Sequence, residues 1–129
     1  MKARIIKFPM CLMYGLNAEE QQKISDIVSE IGAEPKIITD SDLSKSVSEM
    51  TGFGAVECED TDDDYYKDFS FAVFSGLDDR HLNNALNYVG KVTTEKTLVQ
   101  AIVTHTSKSW SVKKLLTQVS HEETEMNQD

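Results

Sequence analysis

The segment from Thr104 to Trp110 combines residue types that could bind an anion or a ring-bearing ligand. It supplies four hydroxyls, one positive charge and the single tryptophan, on Thr104, Thr106, Ser107, Ser109, Lys108 and Trp110. The pattern places this segment where a strand ends and a helix begins. Ligands of open α/β sheets bind outside the carboxyl ends of strands, and the first amides of a helix favour anions. These six residues are therefore the candidate binding site.

The same segment also has a purely structural interpretation. Ser109 would cap the helix that follows, the threonines would satisfy the backbone of the turn, and Trp110 would pack on an adjacent helix. The sequence leaves both interpretations open.

The other reactive side chains form no catalytic or metal-binding pattern. The three histidines and two cysteines lack the spacing of metal ligands. Cys11 lies in an apolar run and is expected to be a small buried hydrophobe. The chain contains no glycine-rich phosphate loop and no nucleophile elbow. We therefore predict no catalytic residue, no metal and no cofactor.

Strands and helices alternate along the chain. Apolar runs predict strands at 4–14, 36–39, 69–74 and 98–104, and apolar positions spaced three and four apart predict helices after each of them. Asn17 and Glu20 have the spacing of a capping box, and Asp78 and Ser109 are expected to cap later helices. Strands that alternate with helices favour an α/β fold. We predict two βαβα repeats that form one mainly parallel sheet covered by helices.

The repeats are expected to share a single domain over 1–129. Repeat one spans about 4–53, and repeat two spans about 68–120. An acidic linker with little apolar surface to anchor it lies between them at about 54–67, and a polar tail occupies 121–129. Pro9 interrupts the first apolar run, so residues 4–8 are expected to form an additional edge strand.

Similar residues recur at a nearly constant distance in the two halves. The turn at Gly15-Leu16 reappears 61 positions later at Gly76-Leu77, and Ser46 corresponds to Ser111 at an offset of 65. Repeated spacing of this kind indicates one supersecondary unit used twice. At the same offset Trp110 corresponds to Lys45, so the aromatic residue is present in one copy only, which favours a binding role for it.

The charge balance excludes some classes of partner. The chain has 22 acidic and 13 basic residues, for a net charge of −9. Nucleic-acid affinity depends on lysine and arginine neutralising phosphates, so neither nucleic acid nor an anionic membrane surface is expected as a partner. No run approaches the roughly 20 apolar residues of a membrane span. With two cysteines that form no disulfide framework, the chain is expected to be cytoplasmic.

Two segments resemble a known protein family. They run from Phe71 to Asp79 (FAVFSGLDD) and from Ala101 to Leu116 (AIVTHTSKSWSVKKLL). They are similar to a family of small, mainly bacterial proteins catalogued as a domain of unknown function, over about 70–120. His105 and Ser107 depart from the family pattern, which usually has Pro and Asn there. The resemblance implies a fold and a bacterial cytoplasmic setting, and it implies no activity.

We therefore predict a non-enzymatic binding or interaction module. Its partner would be another protein or a second copy of the chain. The alternative is a protein that binds a small anion or a nucleotide at the turn between Thr104 and Trp110.

Overall fold

The computed structural model describes residues 9–126, so the edge strand predicted at 4–8 lies outside the described residues. The strands are β1 (Met10–Tyr14), β2 (Glu34–Ile37), β3 (Phe69–Ser75) and β4 (Thr97–Ile102). The α-helices are α1 (Ala18–Ile31), α2 (Val47–Met50), α3 (Asp79–Val89) and α4 (Val112–Met126). Short 3₁₀ turns lie at Asp40–Asp42, Tyr65–Asp68 and Ser107–Ser109.

The strands form one mixed sheet in the order β2-β1-β3-β4. β1 pairs with β2 in parallel and β3 with β4 in parallel, whereas the central pair, β1 with β3, is antiparallel. The prediction of an α/β fold with a mainly parallel sheet is confirmed. The antiparallel centre follows from the linker, which brings the second half back alongside the first in the opposite direction.

Helices cover both faces of the sheet because successive strand residues point to opposite sides. Leu12, Phe71 and Val73 pack in the cluster that includes residues of α2 and α4. Cys11 and Phe74 pack in the other cluster, with residues of α1 and α3. Burying a side chain of this size stabilises the fold by about 1.5–3 kcal/mol. The two clusters hold β1 and β3 at the centre of the molecule.

Helix starts agree with the sequence in two cases and differ in a third. Asn17 forms the predicted capping box with Glu20, and Asp78 caps α3 by accepting from the His81 amide. The prediction that Ser109 caps the last helix is wrong. Ser109 ends a 3₁₀ turn, and Ser111 accepts from the Lys114 amide at 3.0 Å instead. The helix predicted after the strand at 36–39 is present as α2, a single turn capped by Ser46.

Helix α4 starts late because the residues before it pair with the other half of the chain. The Val47 amide donates to the Trp110 carbonyl, and the Val112 amide donates to the Lys45 carbonyl, both at 2.9 Å. The two bonds are equivalent, because Val112 lies 65 positions after Val47 and Trp110 lies 65 positions after Lys45. Ser46 and Ser111, which are also 65 positions apart, pair with each other between these bonds. This pairing keeps Trp110 extended.

The acidic linker is anchored by hydrogen bonds and by Tyr66, which is buried in the core cluster that includes residues of α2 and α4, so the expectation that it has little apolar surface to anchor it is wrong at this residue. The Glu59 amide donates to the Ser109 carbonyl at 2.8 Å, and the Ser111 amide donates to the Glu59 carbonyl at 2.7 Å. The Ser111 hydroxyl also donates to the Asp60 carboxylate at 2.6 Å. Around Glu59 the linker therefore pairs with the residues that precede α4.

Candidate functional site

A cavity of about 220 Å³ lies at the carboxyl ends of β3 and β4. Residues from both strand ends, from the turns that follow them and from a distant loop line this cavity: Phe53, Phe74, Ser75, Gly76, Leu77, Leu82, Ile102, Val103, Thr104, His105 and Lys108. We call it the strand-end cavity. It occupies the position that the α/β architecture predicts for a ligand.

A second, more open cavity of about 400 Å³ adjoins the first. It is lined by Ser48, Val56, Glu57, His105, Thr106, Lys108 and Ser109. His105 and Lys108 line both cavities, so these two residues border both spaces. Four of the six sequence-predicted residues therefore lie at cavity walls, and Ser107 and Trp110 do not.

Thr104 and Ser107 close the turn on themselves. The Thr104 amide donates to the Ser107 hydroxyl oxygen at 2.8 Å, and the Ser107 amide donates to the Thr104 hydroxyl oxygen at 3.2 Å. Ser107 is buried. These hydroxyls satisfy local backbone groups, as the structural interpretation of the segment required, and of the two residues only Thr104 lines the strand-end cavity.

Ser109 and Thr106 lie at the rim of the open cavity. The Ser109 hydroxyl donates to the Thr106 carbonyl at 3.0 Å, so it stabilises the turn in place of capping α4. Both residues are exposed. They leave Lys108 and His105 as the polar side chains that face both cavities.

Lys108 is half-buried, and its Nζ lies 3.7 Å from the centroid of the Phe53 ring. A cation over an aromatic face is attracted by the ring quadrupole, which fixes the side chain against the cavity wall. No carboxylate among residues 9–126 forms an ion pair with Lys108. The site therefore presents a positive charge beside apolar walls.

Trp110 serves the core more than the cavities. Its half-buried ring packs against the cluster below α4, and the Nζ of Lys114 lies 5.1 Å from the ring centroid. Its backbone is held by the linker on one side and by Val47 on the other. The tryptophan thus supports the base of the turn that carries Lys108.

Phe53 was missed by sequence reasoning. It lies between Gly52 and Gly54, whose φ angles of 88° and 92° are left-handed, in the loop after α2. In the sequence, Gly52 indicated only the end of a helix. The phenylalanine between two glycines was the signal that could have pointed to a binding residue in this loop. Phe53, Val56 and Ile102 are exposed apolar residues that line the two cavities.

The first half carries a different residue at the matching strand end. Ser75 lines the cavity, whereas Tyr14, 61 positions earlier, donates from its hydroxyl to Asp40 at 2.6 Å. Its ring packs edge-on against Tyr66, with 5.8 Å between centroids. Partial burial and then the bond to Asp40 raise the pKa of the Tyr14 phenol. The carboxyl end of β1 is therefore covered by the contacts of Tyr14 with Asp40 and Tyr66.

The thiols and acidic groups give little support to reactive chemistry. Burial raises the pKa of the Cys11 thiol to about 12, so this cysteine stays protonated near neutral pH. Both cysteines are free. Across residues 9–126 no group of three or more His, Cys, Asp or Glu side chains could hold a metal ion. In the same part of the chain no helix is long and apolar enough to cross a membrane.

The second half of the fold matches a known family. Residues 70–126 match the sequence model of the family described as Domain of unknown function (DUF3783). The match runs from β3 to the end of α4 and confirms the resemblance predicted over about 70–120. No curated protein and no solved structure matches the chain. The family description carries no activity.

Proposed function

We propose that the protein is a non-enzymatic binding module whose ligand occupies the strand-end cavity. The observation that carries this proposal is the position of Lys108, a half-buried cation without an ion-pair partner in the described chain, at the wall of a cavity that has both apolar and polar lining residues. In a chain of net charge −9, a lysine that forms no ion pair with a carboxylate among the described residues offers a counter-charge to an external anion.

The cavity favours a small organic acid. Phe53, Leu77 and Ile102 offer apolar contacts for a ring or a short chain, and Lys108 offers a counter-charge for a carboxylate or phosphate. Its volume of about 220 Å³ is below the roughly 300–1,000 Å³ of typical ligand pockets. A ligand smaller than a nucleotide therefore fits the space best.

Three aromatic probes of similar size test the charge and the location together. Benzoate, benzamide and benzylamine share a ring and differ in charge, and each is titrated into isotope-labelled protein while amide NMR signals are followed. We expect benzoate to shift the signals of Ser75, Val103 and Lys108, benzamide to shift them less, and benzylamine to leave them unchanged. Equal responses to all three probes, or none to benzoate, would contradict the proposal.

We also propose that the two halves are copies of one unit and that the protein works in the bacterial cytoplasm. The repeat is supported by the paired bonds of Val47 and Val112 and by the register of the central strands, where Leu12 faces Val73 at the same offset of 61 that relates the two glycine turns. The setting is supported by the free thiols of Cys11 and Cys58 and by the family resemblance.

A further inference from the structure

Among residues 9–126, the β4 strand forms an open edge of the sheet. It lies last in the strand order, and the Val103 amide just after it donates to the Phe74 carbonyl at 2.9 Å. The N–H and C=O of one strand residue point to the same side, and that side alternates along the strand. Leu98, Gln100 and Ile102 therefore direct their backbone groups away from β3.

The opposite edge is closed by a proline. In β2 the amides of Glu34 and Ile38 donate to β1 and its preceding residue, so Pro35 and Ile37 face outward. Pro35 has no N–H to offer, and proline on an edge strand blocks pairing with another chain. Gln100 stands 65 positions after Pro35, at the matching place in β4, and keeps its outward N–H. Proline therefore protects the β2 edge, whereas no described strand covers the outward backbone groups of β4.

A groove of about 320 Å³ follows the open edge between α3 and α4. Leu86, Ala101 and Val119 give it an apolar floor, and Glu122 and Glu123 lie along its rim. None of the residues that line it is basic. Within the part of the chain that the structure describes, the groove thus joins outward-facing backbone groups of β4, apolar surface and the negative charge of Glu122.

We propose that β4 binds an extended segment of a partner protein by strand addition, and that this segment carries lysine or arginine among apolar residues. Backbone hydrogen bonds to Leu98, Gln100 and Ile102 supply affinity, and alternating side chains supply specificity. A second copy fits less well. Pairing β4 with its own copy about a two-fold axis brings the acidic rims of both α4 helices together and joins two chains of net charge −9.

The probe is a capped peptide in which valine alternates with lysine, with a valine–glutamate peptide as its charge-reversed counterpart. We expect the lysine peptide to shift and protect the amides of Leu98 and Gln100, and the glutamate peptide to bind several-fold more weakly. A lysine peptide with N-methyl groups along one edge keeps its charge but loses the donors, and it should fail to bind. Equal binding of the methylated peptide would overturn the proposal.

The matched variants are Gln100→Pro and Gln100→Ala. Gln100→Pro places a proline in β4 at the position that matches Pro35 in β2 and removes the outward N–H, so binding of the lysine peptide should be lost. Gln100→Ala loses the side-chain bond to the Leu86 carbonyl but keeps the N–H, so binding should persist. If Gln100→Pro fails to fold, the binding of the N-methylated lysine peptide to the unaltered protein tests the proposal instead. Unchanged binding by a folded Gln100→Pro variant, or a dimer that this variant dissociates, would overturn the proposal.

Discussion

Ser111 connects three parts of the molecule through one side chain. Its hydroxyl oxygen accepts from the Lys114 amide at 3.0 Å and its hydroxyl donates to Asp60 at 2.6 Å, while its backbone faces Ser46. It is fully buried. A cap that also holds the linker should contribute more to stability than a serine that closes only its own turn, such as Ser109.

Alanine substitutions of Ser111 and Ser109 compare the stability contributed by a helix cap with that contributed by a serine within a turn. We expect Ser111→Ala to lower the free energy of unfolding by about 1–2 kcal/mol, because α4 loses its cap and Asp60 loses a donor. Ser109→Ala should change it by no more than about 0.5 kcal/mol. Urea unfolding followed by circular dichroism measures both, and a larger loss for Ser109→Ala would contradict the assignment of the cap.

Two carboxyl groups should make the fold sensitive to acid. The Thr39 amide and then Lys45 lower the pKa of Asp42 to about 2, and the Ser111 hydroxyl and the Thr61 amide lower the pKa of Asp60. A group with a lower pKa in the folded chain stabilises the fold above its unfolded pKa, and the contribution disappears as the pH falls through the folded value.

The melting temperature is therefore expected to fall as the pH drops from about 3.8 toward about 2. Thermal unfolding over a pH series measures this. Ser111→Ala should weaken the pH dependence of the melting temperature, because the Ser111 hydroxyl is the largest cause of the lowered pKa of Asp60. A melting temperature that stays constant over this range would show that these bonds do not favour the ionised carboxylates.

Among the connecting elements, the turn after β1 is the most restricted. Gly15 has a φ of +77°, and a Cβ there would lie 2.6 Å from the Phe69 carbonyl oxygen. Gly32, which ends α1, has a φ of +95° with no atom within 4 Å of the same position. The two glycines share backbone strain and differ in the space around them.

Alanine substitutions at Gly15 and Gly32 should distinguish the cost of the left-handed backbone from the cost of a steric clash with Phe69. Gly32→Ala is expected to cost about 1–2 kcal/mol from the left-handed conformation alone. Gly15→Ala should cost more, because the β3 backbone must also move. Chemical unfolding of both variants provides the comparison, and equal costs would mean that the turn can shift away from Phe69 without loss.

Local signals account for the elements that the sequence could predict. Asn17 and Asp78 cap their helices through residues three positions away, so spacing alone reveals them. Ser111 could not be found in this way, because α4 starts only where Trp110 stops pairing with a segment about 65 residues earlier. Lys108 was a predictable site residue at a strand end, but Phe53 reaches it from a distant loop, so their contact depends on tertiary structure.

At the scale of the whole molecule, the two halves share one centre. The antiparallel pair of β1 and β3 places Leu12 opposite Val73, and both core clusters draw residues from both halves. Neither half buries its faces without the other. The strand order could not be predicted, because the apolar pattern of a central strand is the same whichever neighbour it pairs with.

The shared centre predicts a single cooperative unfolding transition. We expect far-UV circular dichroism and tryptophan fluorescence to give the same midpoint in urea, since Trp110 reports on the junction of the halves and circular dichroism reports on all helices. Hydrogen exchange should find the β1 and β3 amides protected together. Two separated transitions would show that the halves unfold as independent units.

The central claim, an anion site at Lys108, is tested most directly by the affinity for benzoate of Lys108→Gln against that of the unaltered protein. Lys23→Gln on α1 is the control, because Lys23 pairs with Glu19 and lines neither cavity. A charge-assisted contact contributes about 1.5–3 kcal/mol, and 1.4 kcal/mol is a factor of ten. We therefore predict that Lys108→Gln weakens benzoate binding by about tenfold or more, while Lys23→Gln leaves it unchanged. Equal affinities for all three proteins would contradict the account.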